Sequence, residues 1–295
     1  MSSSILERIQ KGERITADGA TGTNLQKRGL PPGLSSEQWV LDNPEAILQL
    51  HRDFIAAGAQ IILTSTFGAS PARLEGSKLA GQVIQINRRA VELARTAAQG
   101  SDVLVAGSIG PSGKLLKPFG PLSEQEAVES FMEQARSLTD SGADLLVIET
   151  QFDLQEAKAA IQGVRSASSL PLVCSFSFDR GTRSIMGVKP AQFGSEMNKL
   201  NVDLVGINCG RSLEENLAVL KELHQVTNLP IWFKPNAGLP ETDTEGNATY
   251  RISPQEMSQH VPEWIAAGAQ VIGGCCGASP EHLRFIAQAV RQAIY

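Results

Sequence analysis

Three cysteines and two acids are the residues of this chain best placed to do chemistry. Cys275 and Cys276 are adjacent in Gly273-Gly274-Cys275-Cys276-Gly277, and Cys209 lies in Gly206-Ile207-Asn208-Cys209-Gly210. Neighbouring cysteines do not readily bond to each other, because so small a ring strains the peptide and the disulfide dihedral. They can instead offer two thiolates to one soft or borderline cation, with the glycines letting the backbone turn both sulfurs to one point. Cys209 is the candidate third ligand. A lone cysteine is ordinarily a small buried hydrophobe, and Cys174, inside an apolar run, is read that way. Packing alone does not explain three cysteines set in glycine just after two apolar runs.

Three thiolates without a fourth like ligand describe a zinc site with an open position, the arrangement of a catalytic centre. The negative charge of three thiolates weakens the metal's power to acidify water, so a substrate sulfur suits the open position better. An alkyl thiol is only about 3% ionised at pH 7, and coordination removes its proton and leaves a nucleophile. The expected reaction class is alkyl transfer to sulfur. Asp18 and Glu149 are candidates to hold a substrate ammonium group by charge-assisted hydrogen bonds. Asn236, in Pro235-Asn236-Ala237-Gly238, either orients the site, caps the empty metal, or forms a turn. Lys234 opens a rival reading as the Schiff-base lysine of an aldolase-like lyase, which leaves the cysteines unexplained. A barrel that only stores or senses zinc is a second rival, and leaves the two acids unexplained.

These residues need a scaffold that gathers strand ends, and the apolar pattern supplies one. Short β-branched runs alternate with capped helices: strands at 14–20, 59–66, 103–107, 145–149, 172–178, the run ending at Cys209, 229–234 and 269–274. Helix starts are marked by Asn43-Pro44, Ser123 with Glu126, Asp153 with Glu156, Ser212 with Glu215, Ser253 with Glu256, and Ser279-Pro280; the last helix is expected to reach the C-terminus. Ala56-Ala57-Gly58-Ala59, Asp140-Ser141-Gly142-Ala143 and Ala266-Ala267-Gly268-Ala269 recur at helix-to-strand junctions, where glycine closes the helix. Eight strand–helix units predict one closed (β/α)8 TIM barrel over residues 1–295, with its active site where the strands end. No Gly-x-Gly-x-x-Gly turn follows the first strand, which disfavours an open doubly wound sheet. His51, His224 and His260 fall on helices and His282 in a first helical turn, so the histidines are read as structural.

A net charge of -5 with no basic run gives no footing for nucleic acid or an anionic membrane. No apolar stretch is long enough to cross a bilayer, and Glu7 and Arg8 interrupt the only apolar residues near the start. A cytoplasmic protein with reduced thiols is expected; four cysteines are too few for a disulfide framework in 295 residues.

The chain resembles the zinc-dependent homocysteine S-methyltransferases, including the homocysteine-binding domain of cobalamin-dependent methionine synthase. The resemblance runs through Asp18-Gly19-Ala20-Thr21-Gly22-Thr23, Thr64-Ser65-Thr66-Phe67-Gly68, Gly107-Ser108-Ile109-Gly110-Pro111, Glu149-Thr150, the Asn-Cys motif, Pro235-Asn236-Ala237-Gly238 and the vicinal cysteines. It implies zinc on Cys209, Cys275 and Cys276, with homocysteine sulfur as the next ligand. It also implies Asp18 and Glu149 on the amino group, amides near Gly19 and Ala20 on the carboxylate, and Asn236 on the metal when substrate is absent. The product would be methionine. Phe178-Asp179-Arg180-Gly181-Thr182-Arg183-Ser184 is most similar to the methionine-synthase branch, which implies methylcobalamin or a separate methyl-corrinoid protein as donor. S-methylmethionine and S-adenosylmethionine are the alternatives. Betaine is disfavoured, since a quaternary ammonium calls for an aromatic cage and Gly68 stands where the betaine enzymes carry an aromatic.

Overall fold

The computed structural model describes residues 3–242 and 248–293 and forms a closed barrel. Its strands are β1 (Ile15–Thr16), β2 (Ile61–Leu63), β3 (Leu104–Ile109), β4 (Leu145–Gln151), β5 (Leu172–Phe176), β6 (Leu204–Cys209), β7 (Ile231–Pro235) and, after a small hairpin of β8 (Pro240–Thr242) and β9 (Ala248–Tyr250), β10 (Ala269–Ile272). All eight barrel strands pair in parallel in the order β1-β10-β7-β6-β5-β4-β3-β2. A bridge between Ala17 and Ile61 joins β1 to β2 and closes the ring.

Thirteen described helices accompany the strands: α1 (Ile5–Gln10), α2 (Gly22–Lys27), α3 (Ser36–Asp42), α4 (Pro44–Ala57), α5 (Pro71–Leu74), α6 (Val83–Ala98), α7 (Glu124–Asp140), α8 (Leu154–Ala167), α9 (Pro190–Met197), α10 (Leu213–His224), α11 (Pro254–Gln259), α12 (Val261–Ala266) and α13 (Pro280–Gln292). The segment between the first expected strand and the helix start at Asn43-Pro44 contains two of them, α2 and α3. The expected seventh helix is divided at His260 into α11 and α12, next to Pro262, whose ring cannot continue an N–H ladder. The end of the last helix at residues 294–295 lies outside the described residues.

Helix starts fall where the sequence marked them, but Asn43 makes no side-chain cap and Ser212 accepts from the Glu215 amide without a reciprocal bond. Ser123 and Ser253 form complete capping boxes with Glu126 and Glu256. Asp153 does cap α8, but through the amide of Gln155; Glu156 is buried and accepts from the amide and hydroxyl of Ser112 at 2.7 and 2.5 Å. It ties the loop after β3 to α8. Gly58 ends α4 in the left-handed conformation at φ 108°, which a side chain would disfavour.

The strand alternation divides the core. Ile61, Leu63, Leu104, Ala106, Leu145, Val147, Val173, Leu204, Trp232 and Val271 fill the barrel interior, and Ile5 of α1 joins them. The intervening Ile62, Val105, Leu146, Ile148 and Val205 pack outward against the helices. Continuing the inward register toward the strand ends gives Ser108, Glu149, Ser175, Asn208 and Lys234, so the apolar interior is topped by a polar layer at the mouth.

Candidate active site

The mouth holds a cavity of about 670 Å3, lined by residues from the ends of β1, β2, β3, β4, β6, β7 and β10. Cys209, Cys275 and Cys276 share its floor. Their sulfurs lie within 4.8 Å of one another, with Cys209 and Cys275 at 3.1 Å. No other such group of possible metal ligands occurs among the described residues. A tetrahedral metal with Zn–S bonds near 2.3 Å separates its sulfurs by about 3.8 Å; the cluster fits that spacing with small side-chain movements. Cys174 is far from this chemistry, fully buried in β5, where burial pushes its thiol up.

The backbone is bent to make the cluster. Cys209 and Thr150 are the two described non-glycine residues at positive φ, both at 60°. That conformation is uncommon for any side chain and strained for a β-branched one. Asn208 holds both. Its carbonyl oxygen accepts from the Thr150 amide at 2.8 Å and the Ser175 hydroxyl at 2.7 Å, and its amino group donates to the Thr150 hydroxyl at 2.7 Å. The same amino group faces the sulfurs of Cys209 and Cys275 at 3.5 and 3.9 Å. At the vicinal pair the glycines are required by space: a side chain on Gly274 would meet the Ala278 methyl at 2.2 Å.

The thiols share their protons unequally. Hydrogen bonds from Cys209 and Cys275 hold Cys276 well below an ordinary thiol, and bonds to Cys275 and Cys276 hold Cys209 well above one. Three sulfurs converging in this way are a donor set for a thiophilic cation. Tyr250, brought over the mouth by the hairpin strand β9, faces Cys276 and packs against Gly277.

Glu149 lines the cavity on the inward register of β4. Its carboxylate accepts from the Ser108 hydroxyl at 2.5 Å, and burial raises its pKa to about 7 against the opposing pull of Lys234. Ser108 is held in turn: its carbonyl accepts from the Thr66 hydroxyl at 2.7 Å. Gly19 and Ala20 also line the cavity, but the Ala20 amide donates to the Ala278 carbonyl at 3.0 Å.

Asp18, expected to face a substrate ammonium, lies behind the cavity wall and already has partners. One oxygen accepts from the Leu63 amide at 2.7 Å and the other from Lys234 Nζ at 2.6 Å. Lys234 reaches the cavity in its place. Burial pulls the Lys234 pKa down, yet the charges of Asp18 and Glu149 outweigh it and the net shift is upward. Burial also raises Asp18, against the pull of Lys234 and the Leu63 amide; with the lysine itself held above its usual range, the proton of the pair stays on nitrogen. A lysine held protonated does not serve as an amine nucleophile, which removes the structural basis of the lyase reading.

Asn236 also stands off the cavity lining. Its amino group donates to the Gly210 carbonyl at 2.9 Å and its amide N–H to Cys209, so it braces the loop that carries Cys209. Its side-chain oxygen is buried without a partner. None of the four histidines lines the cavity; His282 completes a capping box with Ser279. In the sequence Ser108 and Asn208 stood only within longer motifs, with no role of their own, and nothing local announced the hairpin that delivers Tyr250.

Known proteins place this geometry in context. The profile of the homocysteine S-methyltransferase family matches residues 15–290. Methionine synthase of Mycobacterium leprae is 30% identical over 293 residues, covering 94% of this chain and 24% of that protein, so the chain spans about a quarter of its length. Betaine–homocysteine S-methyltransferase 1 of Danio rerio is 31% identical over 303 residues, covering 96% of this chain and 74% of that protein. The metallated form of the Escherichia coli homocysteine methyltransferase MmuM superposes with a TM-score of 0.81 at 28% identity, covering 96% of this chain and 98% of that one. With the family profile matched across nearly the whole barrel and the cysteine cluster at its mouth, the chain belongs to the homocysteine S-methyltransferase family.

Proposed function

We propose that this protein transfers a methyl group to the thiol of homocysteine to form methionine, with zinc held by Cys209, Cys275 and Cys276. The observation that carries this is three thiols within 4.8 Å of one another on the floor of a cavity that also presents Glu149. Bound zinc supplies Lewis acidity that lowers the pKa of the acceptor thiol. The chain does the rest. Asn208 fixes the bends that aim the cysteines, Glu149 takes the amino group, and the apolar barrel beneath excludes water. In the transfer the methyl carbon gains a bond to homocysteine sulfur, its bond to the donor breaks, and the thiol proton leaves to solvent.

A cavity of about 670 Å3 falls in the range of roughly 300–1,000 Å3 that takes a drug-sized molecule. It exceeds what homocysteine needs and leaves room for the donor's reactive end. The donor we favour is methylcobalamin or a methyl-corrinoid protein, supported by the likeness of Phe178-Asp179-Arg180-Gly181-Thr182-Arg183-Ser184 and Pro235-Asn236-Ala237-Gly238 to the methionine-synthase branch. Phe67 and Tyr250 are the aromatic residues lining the cavity, fewer than a closed cage around betaine's ammonium calls for. Methionine formation from homocysteine, measured with methylcobalamin, a methyl-corrinoid protein, S-methylmethionine, S-adenosylmethionine and betaine at equal zinc content, tests this. Turnover with a corrinoid donor and none with betaine is expected, with a Cys275→Ala control inactive. Turnover with S-methylmethionine alone would keep the acceptor chemistry and overturn the donor; no methionine from any donor would overturn the reading.

A further inference from the structure

We infer that Lys234 is a substrate-recognition residue whose ammonium receives the α-carboxylate of the acceptor, while Glu149 receives the α-ammonium. This rests on the homocysteine reading and assigns the residues that grip the two charges. Lys234 follows Trp232 on the inward register of β7, so its side chain rises from the barrel interior into the mouth. The side chain is 3% exposed. Asp18 is its one hydrogen-bond partner among the described residues, at 2.6 Å, and the Trp232 ring flanks it at 5.8 Å. An ammonium has three donors. Those not directed at Asp18 need an acceptor, because a buried charged donor left unmet is costly. The cavity is the side from which a ligand's acceptor can approach.

Three further observations fit a carboxylate there. Lys234 pairs with Asp18 and forms no ion pair with Glu149 within 4.0 Å, so the Glu149 carboxylate is left for a ligand's ammonium and the Lys234 donors that Asp18 does not take are left for its carboxylate. The Ala20 amide, one of those the resemblance placed on the carboxylate, already donates to the Ala278 carbonyl. Asp18, with one oxygen on Leu63 and the other on Lys234, acts as the clamp that aims the lysine. Sulfur, ammonium and carboxylate would then meet the cysteine cluster, Glu149 and Lys234 in turn.

Ligands lacking one charge at a time separate this from a purely structural ion pair. Binding to the zinc-loaded protein is measured by calorimetry for homocysteine, for 3-aminopropane-1-thiol, which lacks the carboxylate, and for 4-mercaptobutyrate, which lacks the ammonium. The variant is Lys234→Met combined with Asp18→Asn, which leaves no unpaired buried acid. Homocysteine and 4-mercaptobutyrate are expected to bind about tenfold or more weakly, with 3-aminopropane-1-thiol unchanged; Glu149→Gln is expected to show the opposite pattern. Equal weakening of all three thiols, or unaltered binding of 4-mercaptobutyrate, would overturn the assignment. Zinc content and circular dichroism report folding. Should the double variant fail either, Lys234→Gln, which keeps a donor without charge, replaces it and is judged by the same two outcomes. Failure of the zinc-loaded wild type to bind homocysteine at all would instead sink the parent reading.

Discussion

The amide of Asn208 joins groups that the ends of β4, β5 and β6 would otherwise hold independently. It grips both sides of the left-handed Thr150, bonds Ser175, and faces two of the sulfurs. Groups that orient metal ligands from behind typically contribute roughly 10- to 100-fold in metal affinity, so Asn208→Ala is expected to weaken zinc binding by about that factor. Competition with a chromophoric chelator measures it; unchanged affinity would mean that the bends at Thr150 and Cys209 are held by other contacts. Glu149 gives a pH signature. Its pKa of about 7 makes it partly protonated at neutrality, and only the ionised form attracts an ammonium. For the thiol-free analogue 2-aminobutyrate, affinity should therefore rise as pH increases from 6 to 8 and be lost on acidification, and Glu149→Gln should flatten the profile. A flat wild-type profile would remove Glu149 from the amino-acid pocket. The residue types of the site were legible in the sequence because cysteines in glycine and acids after apolar runs are rare combinations. The direction of Asp18 was not, since it depends on which side chain, Lys234 or a ligand, fills the space in front of it.

At the scale of elements, alternation and capping carried most of the fold. Period two within each strand put Ser108, Glu149, Asn208 and Lys234 on one inward register, and Pro44, Ser123 and Ser253 fixed helix starts. Irregular pieces were not legible: α2 and α3 are too short to show a period, and the hairpin strands of three residues each are positioned by tertiary contacts, including Tyr250 on Gly277. Glu156 followed the spacing of a capping box and was drawn instead to Ser112, a partner 44 residues away. Helix α4 carries a testable cost of burial. His51 is 2% exposed, its Nε2 has no partner, and burial lowers its pKa to about 4. Because the unfolded chain takes up this proton near pH 6.5 and the folded one does not until about 4, the contribution to stability is complete above 6.5 and lost as pH falls toward 4. By pH 5 the loss from this group is about 2 kcal/mol. Denaturant titrations at pH 7 and 5 should show that share of the decline missing in His51→Phe; an identical decline would show that other groups govern the acid limb.

For the molecule as a whole, the division between an apolar barrel and a polar mouth determines what metal removal can do. The ring of eight parallel strands closes through backbone bonds, and its interior is filled from Ile5, Ile61, Leu145, Val173, Trp232 and their neighbours without any of the three clustered cysteines. The cysteines stand at or beyond the strand ends, on segments braced by Asn208, Asn236 and Ala278. A structural zinc site organises a chain that lacks a core of its own, whereas here the core is complete beneath the site. Chelation is therefore expected to abolish methyl transfer while the far-ultraviolet circular dichroism stays that of an α/β barrel. The melting temperature should fall only by the free energy of metal binding, which appears as a shift that depends on zinc concentration. Cys209→Ala, Cys275→Ala and Cys276→Ala should each reproduce the chelated protein, with little bound metal and a preserved spectrum. Full zinc occupancy in all three variants would dismiss the cluster as the metal site, and global unfolding on chelation would make the metal part of the scaffold.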